Sequence, residues 1–360
     1  MTAPTAVNPQ QTASPAPEWR KHFHKLSELD EGPVQMLIEN ILIAEGATML
    51  GSLSGVGKTW LGLSMAKALT TGKPFLGHFK VPAVVPVVYL VPEMGSRAIR
   101  RRAEKMGLPD SENFLVRTLK EGAMQLNSPH LAGMIREAKP VLFLDTAIRF
   151  TGNADENSAS ESSAGLAAMT FQLLRLGALG VVLLHHAPKT FAKERYMTLE
   201  NALRGTGDFG AMCEVVWGIR QARRWDGKKE DKEYAKESMA LTRLEVECLK
   251  GRDIPNVADP FIIQGRPYLD DTGEFALLRC GDVEMDPTRV NADKRLQDLL
   301  GAITADPATS IRTLSKITGW NHARVKANAE GQGYCQMNGS GWVKTSPAPV
   351  ASSSIVGGSK

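Results

Sequence analysis

The nine residues Gly51-Ser52-Leu53-Ser54-Gly55-Val56-Gly57-Lys58-Thr59 lie where an apolar run, Ala47 to Leu50, gives way to a helical pattern from Trp60 to Leu69. A strand, a glycine-rich turn and a helix in that order gather backbone N–H groups and a helix N-terminus around one point, which favours a phosphate. Lys58 is expected to reach the outer phosphates of a bound nucleotide and Thr59 to hold its Mg²⁺, with Trp60 next to them on the helix. Ser52 stands where the eight-residue form of this motif opens with glycine, and Gly51 precedes it. The path of the loop is therefore altered at its start while its charge chemistry is kept. The expected ligands are ATP and Mg²⁺.

Further apolar runs of strand length alternate with helical patterns. Pro86–Val91, Val141–Leu144 and Val181–Leu184 read as buried strands, and Ser96–Met106 and Ala164–Leu176 as helices. Continuous apolar strands separated by helices indicate a parallel sheet covered on both faces, an α/β doubly wound fold. Asp145, ending the run Leu142-Phe143-Leu144, is placed to hold Mg²⁺ through water. Glu93 follows the strand Val87–Val91. The cations after it, Arg97, Arg100, Arg101, Arg102 and Lys105, read as a solvated face or a subunit contact.

After Ala211 the pattern changes. Cys213–Arg220, Met239–Cys248, Pro260–Ile263 and Phe275–Arg279 read as strands joined without long helices, an antiparallel extension of the same sheet. The charged link Arg220–Glu237 reads as a solvated excursion. Asp293–Ala305, Ser310–Thr318 and His322–Glu330 read as helices, and Tyr334–Met337 with Trp342–Lys344 as a hairpin. Three helices and a hairpin describe a winged helix-turn-helix. Its stretch from Asn291 to Lys344 holds seven Lys/Arg against four Asp/Glu. Such a module takes duplex DNA through His322, Arg324 and Lys326 or docks a protein. The expected organisation is a disordered tail at 1–20, an ATPase domain at 21–285, the winged helix at 290–345 and a disordered tail at 346–360.

Composition excludes several classes. A net charge of only +4 over 360 residues gives no global field for nucleic acid, so such binding has to come from local patches. Cys213, Cys248, Cys280 and Cys335 are too scattered for a zinc site or a disulfide framework, and a reducing cytoplasm is the expected compartment. No apolar run approaches the ~20 residues of a membrane span, so no membrane partner is expected.

The order of these motifs resembles the RepA-like and DnaB-like branch of the RecA-fold hexameric helicase ATPases, AAA-type P-loop proteins, over about residues 33 to 265. The resemblance rests on Glu93-Met94 followed by the arginine-rich helix, Asp145-Thr146-Ala147-Ile148-Arg149-Phe150 with Asp155-Glu156-Asn157, Leu183-Leu184-His185-His186-Ala187-Pro188-Lys189 and Leu203-Arg204-Gly205-Thr206-Gly207-Asp208. It implies a RecA-like core, Glu93 as the general base that orients an attacking water, and His186 as a γ-phosphate sensor with His185 structural. It also implies a Lys-x-Arg pair, Lys250 and Arg252, that reaches a neighbouring subunit's phosphates, as an arginine finger does. The homo-oligomer so implied is a hexameric ring. Single-stranded DNA would pass along Thr151–Ser163 and Pro188–Asn201, with Lys189 and Arg204 as contacts and Lys189 open to DNA or phosphate. The activity implied is that of a replicative helicase of a plasmid, phage or mobile element. Two readings stay open beside it: an ATP-switched DNA-binding regulator or helicase loader, and a recombination or repair ATPase.

Overall fold

The computed structural model describes residues 20, 22–29, 32–122, 124–150, 159–192, 194–203, 208–226, 229–252, 254, 257–265, 275–280, 299–318, 325–326, 329, 334–336 and 341–344. The chain divides into two units, residues 1–35 and 36–360. In the first, the described residues include a 3₁₀ turn at Leu26–Glu28. The tail expected at 346–360, and nearly all of that at 1–20, lie outside the described residues.

The second unit is organised by a nine-stranded sheet. Its strands are β3 (Ala47–Ser52), β4 (Val87–Val91), β5 (Phe114–Thr118), β6 (Val141–Asp145), β7 (Gly180–His186), β8 (Val215–Gln221), β11 (Arg243–Gly251), β12 (Phe261–Gly265) and β13 (Phe275–Cys280). Short strand pairs precede and interrupt it, β1 (Met36–Ile38) with β2 (Leu42–Ile43) and β9 (Trp225–Asp226) with β10 (Lys229–Glu230). The order across the sheet is β13-β12-β11-β8-β3-β7-β6-β4-β5. Strands β8 through β5 in that order run parallel, and β11, β12 and β13 continue antiparallel from β8. This is the RecA-like arrangement; β11, β12 and β13 form the antiparallel extension expected from the sequence, whereas β8, read as part of that extension, runs parallel to β3.

Side chains on a strand alternate between faces, and two cores follow from that period. Val87, Tyr89, Val91, Val141, Phe143, Val182 and Leu184 pack with α1 (Lys58–Thr71) and with Ile99 of α2 (Ser96–Lys105). Val88, Leu90, Leu142, Leu144, Val181 and Leu183 pack on the other face with α3 (Pro129–Ala138) and α4 (Ala159–Arg175). Two short helices, α5 (Leu199–Ala202) and α6 (Asp208–Met212), fall between β7 and β8 in the chain. The phosphate loop, Glu93, Asp145 and His186 all follow or end parallel strands at their C-terminal edge, where ligands gather in open α/β sheets.

The link Arg220–Glu237 is not a solvated excursion. It forms β9, β10 and α7 (Lys232–Ala240), which begins on Asp231, whose side chain accepts from Tyr234 N at 3.0 Å. The guanidinium groups of Arg224 and Arg243 lie over the Tyr234 ring, so part of the charge run is packed rather than solvated. Met239 therefore belongs to α7, and the strand expected from it begins at Arg243.

Toward the C-terminus, residues 299–305 and Ile311–Thr318 are helical, and Tyr334–Gln336 pairs antiparallel with Trp342–Lys344. They share a small core of Leu299, Ile303, Leu314, Val325, Ala329 and Trp342, with the Trp342 indole N–H donating to Thr309 O at 3.1 Å. His322 and Arg324 lie outside the described residues, and Lys326 is exposed. No helix among the described residues is long and apolar enough to cross a membrane.

Candidate phosphate site and its neighbours

The turn after β3 takes a path that needs glycine at two points, Gly55 with φ 78° and Gly57 with φ 118°. Gly57 is the N-cap of α1, so Lys58 and Thr59 open the helix at its positive end. Ser54, Gly55, Gly57, Lys58, Thr59 and Trp60 line one cavity of about 390 Å³ with Val91, Glu93, Met94, Arg102, Asp145, Thr146 and His186. Gly51 has a different task. It is inside the β3 ladder, and a Cβ there would stand 2.6 Å from the Ala202 carbonyl oxygen. Ser52, the departure from the usual motif, ends β3 fully buried.

Lys58 is 5 % exposed and its ammonium donates to Ser52 O at 3.0 Å, Ser52 Oγ at 3.1 Å and Leu53 O at 3.0 Å. Burial lowers its pKa to about 8, with the Asp145 charge acting in the opposite direction. His186 Nδ1 is 3.3 Å from Lys58 Nζ. With Lys58 charged, Nδ1 is the acceptor and the imidazole proton sits on Nε2. Strand alternation puts the two histidines on opposite faces. Val182, Leu184 and His186 share the α1 face, while His185 is buried toward the other.

Asp145, 4 % exposed, accepts hydrogen bonds from Thr59 and from Tyr89 Oη, the latter at 3.1 Å. Desolvation raises its pKa, opposed by those donors and by Lys58. A hydroxyl and a carboxylate side by side suit Mg²⁺, which takes one or two protein oxygens and completes its shell with phosphate and water. Among the described residues no three His, Cys, Asp or Glu side chains converge as a metal cage. A cation held at Thr59 and Asp145 would therefore depend on the nucleotide for its remaining ligands.

Glu93 lies across the cavity in an ion pair with Arg149, on the turn Ala147–Phe150, and accepts from Thr146 Oγ1 at 3.4 Å. Arg102 also reaches this cavity, its guanidinium 5.7 Å from the Trp60 ring centroid. It does not belong with the solvated arginines of α2. Ile99, Arg102, Ala103 and Met106 follow the i, i+3, i+4, i+7 spacing of a buried helix face, and that spacing was available in the sequence.

Lys250 and Arg252 are not brought to this cavity. Arg252 N donates to Glu214 O, and Glu214 N to Ala47 O, so Arg252 is level with the start of β3. The phosphate loop leaves the other end of β3, roughly 16 Å away along the strand. The Lys250 ammonium donates to the carbonyls of Gly210 at 2.6 Å and Ala211 at 3.1 Å, in α6. Burial and the Arg252 charge both lower its pKa.

The expected channel segments also differ from extended loops. Residues 151–158 and Arg204 lie outside the described residues, and 159–163 are helical. Pro188–Asn201 folds on a small core of Ala187, Phe191, Met197 and Ala202. Arg220, paired with Glu245 at 3.0 Å in a buried ion pair, also donates to the carbonyls of Glu194 and Arg195 and anchors this segment. Lys189 remains exposed on it.

Residues 16–192 match the family model AAA_25, an AAA domain. No curated protein matches the chain. Among solved structures, a DnaB-like replicative helicase, solved in a study of its interactions with primase, is 14% identical with a TM-score of 0.52. The match covers 74% of this chain and 69% of that one, and it shows a shared fold. A second solved structure, of an isolated ATPase domain, is similar at 16% identity and TM-score 0.48, over 65% of this chain and 85% of that one. A KaiC-like protein, PH0186 from Pyrococcus horikoshii OT3, is similar at 14% identity and TM-score 0.44, over 69% and 100%. With its strand-loop-helix phosphate motif and its sheet order, this chain has a RecA-like fold, and its residues 16–192 are similar to the AAA domain family.

Proposed function

We propose that the protein is a Mg-ATP hydrolase whose turnover is stimulated by single-stranded DNA, working as a ring of identical subunits in the manner of a replicative helicase of a plasmid, phage or mobile element. The observation that carries the reading is the convergence of Lys58, Thr59, Asp145, Glu93 and His186 on one cavity. Lys58 and the α1 N-terminus bind the phosphates. Thr59 and Asp145 hold Mg²⁺, which neutralises phosphate charge and polarises the γ-phosphoryl group when bound. Glu93 orients the attacking water and takes its proton on a carboxylate oxygen. Arg102 adds positive charge on the same side. His186, bonded to Lys58 and continuing into the segment that carries Lys189, links phosphate occupancy to a surface suited to nucleic acid.

The position of Arg252 at the far end of β3 favours a role toward a neighbouring subunit, since it is remote from its own phosphate loop. Lys250 would join it only by leaving the Gly210 and Ala211 carbonyls. We assign the C-terminal segment built around Trp342 to a winged helix-turn-helix that takes duplex DNA or a protein, with Lys326 on its exposed side and His322 and Arg324 as further DNA contacts, while Arg204 joins Lys189 as a contact of the core. The test is steady-state ATP hydrolysis with and without single-stranded DNA, with Lys58→Ala as the blank. Strong stimulation that vanishes in the blank supports the motor. Lys58-dependent turnover indifferent to single strands points instead to an ATP-switched DNA-binding regulator or loader.

A further inference from the structure

Odd-numbered positions of β4 and β6 face α1, which puts Tyr89 and Asp145 on one side of the sheet beneath the phosphate loop. Tyr89 is fully buried, its ring stacked on Phe143 with centroids 5.3 Å apart and planes 11° from parallel. Stacking on one side and helix on the other leave the phenol little freedom, and its hydroxyl donates to Asp145 Oδ2 at 3.1 Å. The helix is shaped to the hydroxyl. A Cβ at Gly62, one turn into α1, would stand 2.7 Å from Tyr89 Oη. Glycine inside a helix costs roughly 1 kcal/mol relative to alanine, so its place at this contact calls for a packing reason. The phenol oxygen supplies one.

We propose that Tyr89 is a positioning residue for the cation site: its hydroxyl, seated against Gly62, fixes the Asp145 carboxylate so that its remaining acceptor capacity serves the Mg²⁺ shell beside Thr59. The inference rests on the Mg-ATP reading above and adds a residue to it. Tyr89 touches neither nucleotide nor cation and acts through Asp145. Its hydroxyl also meets part of the hydrogen-bonding need of a buried carboxylate.

The test compares wild type, Tyr89→Phe and Gly62→Ala by equilibrium binding of a fluorescent ADP analogue, in excess EDTA and across a Mg²⁺ titration. Tyr89→Phe keeps the ring stack and removes only the hydroxyl. Gly62→Ala keeps the phenol and pushes it off the carboxylate. Both variants are expected to bind in EDTA as wild type does. Both should need about 10- to 100-fold more Mg²⁺ for half of its effect, the loss typical when the partner of a metal-holding group is removed. Turnover at saturating Mg²⁺ should return to within about twofold of wild type, as expected when only an affinity is lost. Folding is checked by thermal melting without nucleotide. If either variant melts cooperatively and titrates with Mg²⁺ as wild type does, Tyr89 is an ordinary core tyrosine and the inference fails alone. If wild-type binding ignores both Mg²⁺ and Lys58→Ala, the inference falls together with the Mg-ATP reading.

Discussion

The Lys58 ammonium and the His186 imidazole are in direct contact, Nζ to Nδ1 at 3.3 Å, and the residue after His186 is tied to the same loop by the Ala187 N–H on Ser52 O at 2.8 Å. The cation proposed to meet the phosphates is thereby joined to the start of the segment bearing Lys189. A phosphate drawing Lys58 toward the cavity must change its contact with His186, which gives the ligand a mechanical route to the surface. His186→Ala should retain nucleotide binding and lose stimulation by single-stranded DNA, with stimulated turnover falling about tenfold, or roughly 1.4 kcal/mol of barrier. Stimulation equal to wild type would remove His186 from the coupling.

Lys58 also gives a pH signature. Burial has brought its pKa from 10.5 to about 8. Between those two values the unfolded chain holds more protons at this side chain than the folded one. Its contribution to stability therefore rises with pH across that window, as the cost of burying it charged is relieved. Phosphates restore the charged form, so nucleotide binding at pH 8.5 to 9 should take up protons, and at pH 6.5 it should not. Binding enthalpies measured in two buffers of different ionisation enthalpy report this directly.

Glu93 is held by Arg149 on the turn after β6. Releasing it should make the carboxylate more available to water before any nucleic acid arrives. Arg149→Ala is expected to raise basal turnover and reduce the stimulated-to-basal ratio. A partly exposed ion pair is worth at most ~1 kcal/mol, which limits the increase to about fivefold. A fall in basal turnover would instead make Arg149 part of the reacting site.

The remote placement of Arg252 predicts complementation between subunits. Arg252→Ala and Lys58→Ala should each hydrolyse ATP poorly. A mixture should regain turnover, because an intact phosphate loop in one subunit can meet an intact Arg252 from the other. Normal turnover by Arg252→Ala alone, or a mixture as inactive as its parts, would remove the finger from the account.

The parallel half of the sheet was legible because its strands are buried on both faces and read as unbroken apolar runs. Strand β5 was not, since it is an edge strand whose Leu115 and Val116 are exposed and whose Arg117 interrupts the run. Helix α7 was hidden by its charges, although Asp231 as a cap and Tyr234 as a platform for two arginines give the physical reason it folds. At the site, Lys58, Thr59 and Asp145 followed from motif chemistry. His186 was singled out by resemblance, and the register of β7 adds that it shares the α1 face with Leu184, while Arg102 needed the helical period to be applied to a charged residue. Tyr89 left no sign in the sequence beyond being one more apolar position in a buried strand.

The central claim is that Glu93 serves the chemistry of a site that Lys58 and Asp145 assemble. It is tested most directly by measuring nucleotide binding and ATP hydrolysis side by side in wild type, Lys58→Ala and Glu93→Gln. The account predicts that Lys58→Ala loses both, and that Glu93→Gln binds Mg-ATP as wild type does while its turnover falls by about 100-fold or more, the scale of a lost general base. Glu93→Gln hydrolysing ATP at the wild-type rate would contradict it.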